Sequence, residues 1–394
     1  MTLALPSNRQ EAWRWSDLSG LPDFAARERR ALASPLTNLW LDCAVEGPRL
    51  LFVDGKLAAE ESNLGPLEIG ALEQAPDHAL ARHAAEGWTL RLNVGHAPLG
   101  LVQIVHAATG GADHLAGEIV LGEDAQASVV ETFLGEGWTN RFTRIRLARS
   151  ARLMLTRRIT SGGFVSLTED AEVGEGASLT VATLAAGAAD TRLDANIRLT
   201  GDGAFAEAGG ALLARGKQRH DANLVLRHEQ PNGVSRQVWR SVADDRATCS
   251  VAARVEVARG AQKTDGEQSL KGLLLARTAT VNAKPELEIY ADDVKCAHGA
   301  TVGELNRDAL FYLASRGVPE AEAKALLTSA FVADALTRIG EEAVREAFEA
   351  DAEAWLAGAE KPLPFRGGVG EGPVTTHRAS STFPSPVPSP EGEG

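Results

Sequence analysis

The sequence predicts a mainly β protein: a right-handed parallel β-helix, or β-solenoid, flanked by α-helical regions at both ends. Three observations carry that expectation. A motif of strand, tight turn and strand recurs around Ala125, Ala151, Ala177 and Ala204, at spacings of 26, 26 and 27 residues, and again around Ala261. Within these units apolar and polar residues alternate, as in Ile145-Arg146-Leu147 and Ile197-Arg198-Leu199, which turns one row of side chains inward and the other toward solvent. Outside roughly residues 88–303 the alternation gives way to helix-like patterns.

Residues 1–87 mix helix-friendly stretches, Asp23–Ala33 and Asp77–Gly87, with a short hairpin signal in which Asp54-Gly55 supplies the turn; this region is expected to be α-rich. Residues 88–303 form the coils, with a period of roughly 26 residues and with Gly233 filling the turn between Ala204 and Ala261. A single coil cannot bury its apolar face, whereas stacked coils share a continuous core and leave unpaired backbone only at the two ends. Those ends need the flanking helices or another subunit to cover them. In residues 304–360 Asn306 is placed to cap a helix reaching Gly317, and Pro319 opens a second with Leu326, Leu327, Ala330 and Phe331 on one face. A third helix carries Val344, Phe348 and Trp355. Residues 361–394 shift to Pro, Gly and Ser and lack the apolar content needed to offset ordering entropy, so a disordered tail is expected.

Composition limits the function classes. The chain has 394 residues, 44% of them hydrophobic, enough for a substantial core. A formal charge of -13 argues against nucleic acid and against anionic membrane surfaces, since both require a basic footprint. No apolar run is long enough to span a bilayer and the N-terminus lacks a secretory pattern, so a soluble cytoplasmic location is expected.

Cys43, Cys249 and Cys296 are far apart and form no CxxC pair, and the nine histidines form no HExxH motif. Any metal here needs ligands from elsewhere. Cys296 and His298 stand out because residues two apart on a strand face the same way, and thiolate and imidazole suit iron or sulfur species. The alternative is a small buried thiol beside a hydrogen-bonded histidine. Cys43 and Cys249 sit in apolar or alternating surroundings and read as packed thiols; His220 and His228 read as solvated or structural. Nucleotide motifs are absent in substance. Gly210–Gln218 has five residues between its glycines and Gln218 where a P-loop needs Ser or Thr; Gly201–Ala206 is a turn between strands; Gly367–Gly372 lies in the tail.

One stretch points further. Lys284-Pro285, Leu287-Glu288-Ile289, Asp292-Asp293-Val294-Lys295-Cys296, His298-Gly299-Ala300-Thr301 and Gly303, followed by Phe311-Tyr312-Leu313 and Ser315-Arg316-Gly317, resemble the SufB/SufD family of the SUF iron–sulfur cluster assembly system at every fixed position of its signature. Residues 261–276 and 11–19 extend the likeness, which covers nearly all of the chain before residue 360. Where SufB chains resemble Glu-His-Glu-Ala-Thr, this chain has Cys296-Ala297-His298-Gly299-Ala300-Thr301, and it has few cysteines; both features side with the SufD branch.

The resemblance implies a non-catalytic scaffold in a complex with SufB and the ATPase SufC. It implies that His298 contributes to an assembly site at the SufB contact, with Cys296 as a candidate second ligand, and that the C-terminal helices dock SufC. It implies no tightly bound cofactor, a transient iron–sulfur cluster at the SufB interface, and a link of the complex to reduced flavin that no residue here locates. A SufB-like paralogue is the nearest alternative; a carbohydrate-active β-helix enzyme or a hexapeptide-repeat acyltransferase fits less well, for want of a secretion signal or of a six-residue period.

Overall fold

The computed structural model describes residues 5–30, 39–72, 74, 76–187 and 190–358. The expected tail at 361–394 lies outside the described residues. The strands are β1 (Arg49–Val53), β2 (Lys56–Leu57), β3 (Leu67–Ala71), β4 (Glu86–Leu92), β5 (Val102–Leu121), β6 (Gln126–Leu147), β7 (Arg152–Ile159), β8 (Phe164–Val173) and β9 (Ser178–Ala185). They continue as β10 (Asp190–Leu199), β11 (Phe205–Ala214), β12 (Arg219–His228), β13 (Val234–Ala243), β14 (Thr248–Val257), β15 (Asp265–Leu274), β16 (Thr280–Ile289) and β17 (Lys295–Glu304).

From β6 onward each strand pairs in parallel with the strand two places later, so that even and odd strands build two separate ladders. That pairing is a parallel β-solenoid of about seven turns, as expected. β5 and β6 each run through both ladders, turning the coil corner at Gly110-Gly111 and at Gly135 to Gly137. At Gly137 φ is +110° and a Cβ would lie 2.6 Å from the Gly111 carbonyl oxygen, so only glycine lets successive corners stack.

Inward-facing residues form one continuous core from Leu50 to Ala279, including Ile104, Val129, Leu155, Val181 and Ala208 on the odd ladder and Ile119, Ile145, Ala171, Ile197 and Leu226 on the even one. Ile145 and Leu147 are buried around exposed Arg146, as the alternation requires. The repeat does not keep its length. Asp190 pairs with Phe164, 26 residues back, and with Arg219, 29 residues on, while Thr248 pairs with Thr280 at 32. The added residues enter the turns, and the Asp265 and Lys295 amides bond to Gly233 and Thr264 as the Val234 amide bonds to Ala204. Thr264, three residues past Ala261, therefore takes the stacked turn position.

The described part of residues 1–87 is less helical than expected, with one six-residue helix, α1 (Leu21–Ala26), three single 3-10 turns, and β1 to β3 with the start of β4. The Asp54-Gly55 hairpin is present, with φ of +49° and +77° and Val53 opposite Lys56. The stretch from Asp77 supplies only the turn Ala81–His83 before β4 begins, because an isolated short helix is marginal and the edge of β5 offers β4 a six-residue parallel ladder. Of the Asp23 stretch, the part at residues 31–38 lies outside the described residues. β2 and β3 pair antiparallel onto β1 and β4 and cover the first coil.

At the other end Asn306 caps α2 (Arg307–Ser315), accepting the Asp308 and Ala309 amides at 2.8 and 3.1 Å. α3 (Glu320–Leu336) and α4 (Glu342–Leu356) follow. Val344, Phe348 and Trp355 are buried as expected, but the inward face of α3 is Ala323, Thr328, Val332, Ala335 and Leu336; Leu326 and Ala330 are exposed. The helices pack against the outer face of the odd ladder, on Leu184, Leu213, Val242 and Leu273, and not across the end of the last coil. Arg158–Asp351, Arg240–Asp334 and Arg338–Glu207 ion pairs fasten them there.

Candidate functional site

β16 and β17 are the last rungs of the two ladders, each paired on one side only. Pro285 in β16 has no N–H to give a further strand, and proline inside a strand marks an edge. β17 sets Cys296 over Gly266 and His298 over Gln268. Gly266, Gln268, Leu270 and Gly272 are the buried, lumen-facing residues of β15, so Cys296, His298, Ala300 and Val302 share the lumenal face of β17. Among the described residues no further coil roofs that face. Cys296 is half-buried against Val255, Val257, Ala261 and Ala291, whereas His298 is exposed.

The structure thus brings the two sequence candidates onto one face at the bare end of the solenoid. Burial pushes the Cys296 thiol up, helped by Asp265 and opposed by a hydrogen bond from the Gly266 backbone, so the free thiol is protonated at neutral pH. Removing that proton requires a bound cation or a partner's positive charge. Among the described residues no three His, Cys, Asp or Glu side chains converge as a metal site.

Around these residues the coil end is apolar in the middle and charged on one flank. Val281, Ala283 and Leu287 of β16 are half-buried on the lumenal side, and Ile289, Tyr290 and Val302 are exposed. The outer row of β16 carries Lys284, Glu286 and Glu288, with Lys284 bridging Glu11 at 2.6 Å and Glu286 at 3.0 Å, and Arg254 reaching Glu256, Glu286 and Glu288. An uncovered apolar edge with a charged rim is the anatomy of a contact surface.

The other candidates fall elsewhere. Cys249 is fully buried, its thiol pushed up by burial, and Cys43 donates to the Leu41 carbonyl at 3.6 Å. His220 and His228 are buried and not solvated: Nε2 of His220 faces the Leu213 carbonyl at 3.1 Å, and Nε2 of His228 faces Ser235 Oγ at 2.9 Å. Gly210 lies inside β11, not in a phosphate loop. A cleft of about 870 Å³ lies by Cys43, Met154 and the start of α4, and neither Cys296 nor His298 lines it.

Sequence reasoning missed a buried polar network inside the lumen. His106 Nε2 meets Glu131 at 3.1 Å, Glu131 meets Arg157 at 3.1 Å, and Arg157 crosses to Glu169 at 2.7 Å, while Arg141 bonds His106 Nδ1 and pairs with Asp113. The available signal was polar residues at inward phase, as in Ile104-x-His106 and Leu155-x-Arg157.

The family model for the SUF system FeS cluster assembly SufBD core domain matches residues 105–331, which takes in most of the coils, β17 and α2. The chain belongs to the SufBD family. It is 27% identical over 370 residues to the iron-sulfur cluster assembly protein SufD of Escherichia coli, covering 87% of each chain. A SufBD family protein of Synechocystis is 26% identical over 387 residues, covering 86% of this chain and 84% of the relative. SufD of Bacillus subtilis is 29% identical over 157 residues, 40% of this chain. The chain is thus a SufBD-family iron–sulfur cluster assembly protein with SufD homologues, and no described helix is long and apolar enough to cross a membrane.

Proposed function

We propose that this chain is a non-catalytic scaffold subunit of a cytoplasmic SUF complex, in which the bare end of the solenoid seats SufB and the seam between them assembles nascent iron–sulfur clusters. The observation that carries the reading is the uncovered last coil, with Cys296 and His298 side by side on its lumenal face. A second solenoid end would pair with β16 and β17, satisfy their open backbone groups and bury Val302 and Leu287. The cluster is cargo here: His298 offers a neutral imidazole nitrogen, Cys296 a thiol that ionises on binding, and SufB the remaining ligands. No residue of the chain is assigned to a resident cofactor, and reduced flavin remains a property of the complex without a place on this subunit.

The C-terminal helices are the docking site for SufC. Phe311 and Tyr312 of α2 and Leu326 of α3 are exposed, an apolar surface that the solenoid does not use. α2 follows β17 after only Leu305 and Asn306, so a displacement of α2 is delivered directly to the strand bearing Cys296 and His298. ATP-driven movement of SufC would open the seam by this route and admit iron and sulfide.

The test is the His298→Ala variant co-expressed with SufB and SufC. We expect the three-subunit complex to assemble and cluster formation to fall; normal cluster formation on an intact complex removes His298 from the site. Failure of the unaltered chain to co-purify with either partner ends the reading.

A further inference from the structure

Directly behind His298, one coil earlier and on the same lumenal face, lies Gln268, only 1% exposed. Its carboxamide nitrogen donates to Gln237 Oε1 at 2.6 Å and to the Ala253 carbonyl at 2.7 Å. Both partners accept, and the nitrogen of Gln237 is itself turned to the Arg254 carbonyl at 3.4 Å, so the Gln268 amide cannot be flipped without setting oxygen against oxygen. Its oxygen Oε1 is buried and has no hydrogen-bond partner. Leaving a buried carbonyl unmatched is costly, and within an otherwise paired column this oxygen is the one group without a match. The nitrogen is committed to the preceding coil and to the opposite wall. The oxygen is left for the following coil, where the residue in register is His298.

We propose that Gln268 is a positioning residue for His298. When a partner covers the coil end and excludes water, the imidazole donates its ring N–H to Gln268 Oε1. That bond sets the tautomer and the ring plane, and it turns the unprotonated nitrogen out of the coil toward the seam. A ligating histidine is usually held in this way through its other nitrogen, and loss of the holding group typically costs about 10–100-fold in metal affinity or activity. A polar column thus runs from Gln237 through Gln268 to His298 along one inward stripe of the odd ladder. The inference rests on the proposed role of the coil end.

The experiment uses the complex with SufB and SufC in which only this chain carries 15N-histidine. Solid-state 15N spectra distinguish the two neutral tautomers, and the spectrum of a His298→Gln complex identifies the His298 signals by difference. We expect one tautomer in the unaltered complex and a mixture in Gln268→Leu, with cluster loading about tenfold slower. Gln268→Glu, which keeps an acceptor, is expected to hold a single ring orientation; it carries the test if the leucine variant does not assemble. The same single tautomer in Gln268→Leu, or a tautomer mixture in the unaltered complex, overturns the positioning role. A tautomer that follows residue 268 while His298→Ala still builds clusters at the normal rate supports the positioning and refutes the assembly-site reading instead.

Discussion

Acidification from pH 7 to pH 5 should weaken the solenoid through its buried histidines, and His220 gives the cleanest measure. The ring is fully buried in β12; one nitrogen faces the Leu213 carbonyl at 3.1 Å and Nδ1 has no partner. A second proton would create a buried N–H without an acceptor, so burial lowers the pKa from 6.5 to about 4. With the folded pKa below the unfolded one, the stability contributed by the neutral ring is complete above about pH 6.5. It is lost progressively as the pH falls toward 4, because only the unfolded chain takes up the proton in that window. Linkage over this interval gives a loss of about 2 kcal/mol at pH 5 for this one group. Comparing urea unfolding of the unaltered chain with that of His220→Gln isolates the term, since other titrations are shared. Glutamine keeps a donor for Leu213 and cannot titrate. The variant should be less stable at pH 7, and the gap should narrow by about 2 kcal/mol at pH 5. A gap that stays constant to within about 0.5 kcal/mol refutes the account of His220 as a buried neutral ring. His106, also buried and also lowered to about 4, should add to the loss with the same sign.

Three further outcomes follow from packing and from the bare end. In Gly233→Ala the new Cβ would sit 2.6 Å from His228 Nδ1, while Ser235 holds that ring at 2.9 Å; thermal unfolding should show about 1–3 kcal/mol of destabilisation, and an unchanged midpoint would refute the close approach. Arg192 stacks on Trp13 and pairs with Asp194 and Asp221, tying the N-terminal segment to the even ladder; Arg192→Ala should cost about 3–5 kcal/mol and open residues before Phe24 to limited proteolysis, whereas continued protection would show that the charges do not hold the segment. The amides of β16 and β17 that point away from β14 and β15 should exchange rapidly in the free chain and become protected in the proposed complex with SufB, while those of β9 to β12 stay slow in both; protection of these outward amides of β17 in the free chain would contradict an open edge.

Much of the fold and part of the site can be read locally. Alternation in Ile197-Arg198-Leu199 specifies a strand and its buried face, small residues at regular intervals specify stacked turns, and Asn306 two and three residues before its acceptor-seeking amides specifies a helix start. Cys296 and His298 are two residues apart, so a strand places them on one face whatever the surroundings. The limits are equally physical. The helix-like stretch before β4 lost to a ladder whose other strand lies far along the chain, and Leu326 faces solvent because the solenoid wall, not the helix's own pattern, chose which stripe of α3 to bury.

Local pattern is enough to make coils form, to choose the residues that line them, and to set a thiol and an imidazole together on one strand, because each follows from the two-residue period of a strand and the size of side chains at a turn. Long-range packing settles the rest: β2 and β3 close the first coil while, among the described residues, nothing covers the last, the helices brace the side wall instead of the end, and a buried amide oxygen lies behind His298. Those outcomes depend on which distant backbone edges find partners, and no local pattern encodes that competition.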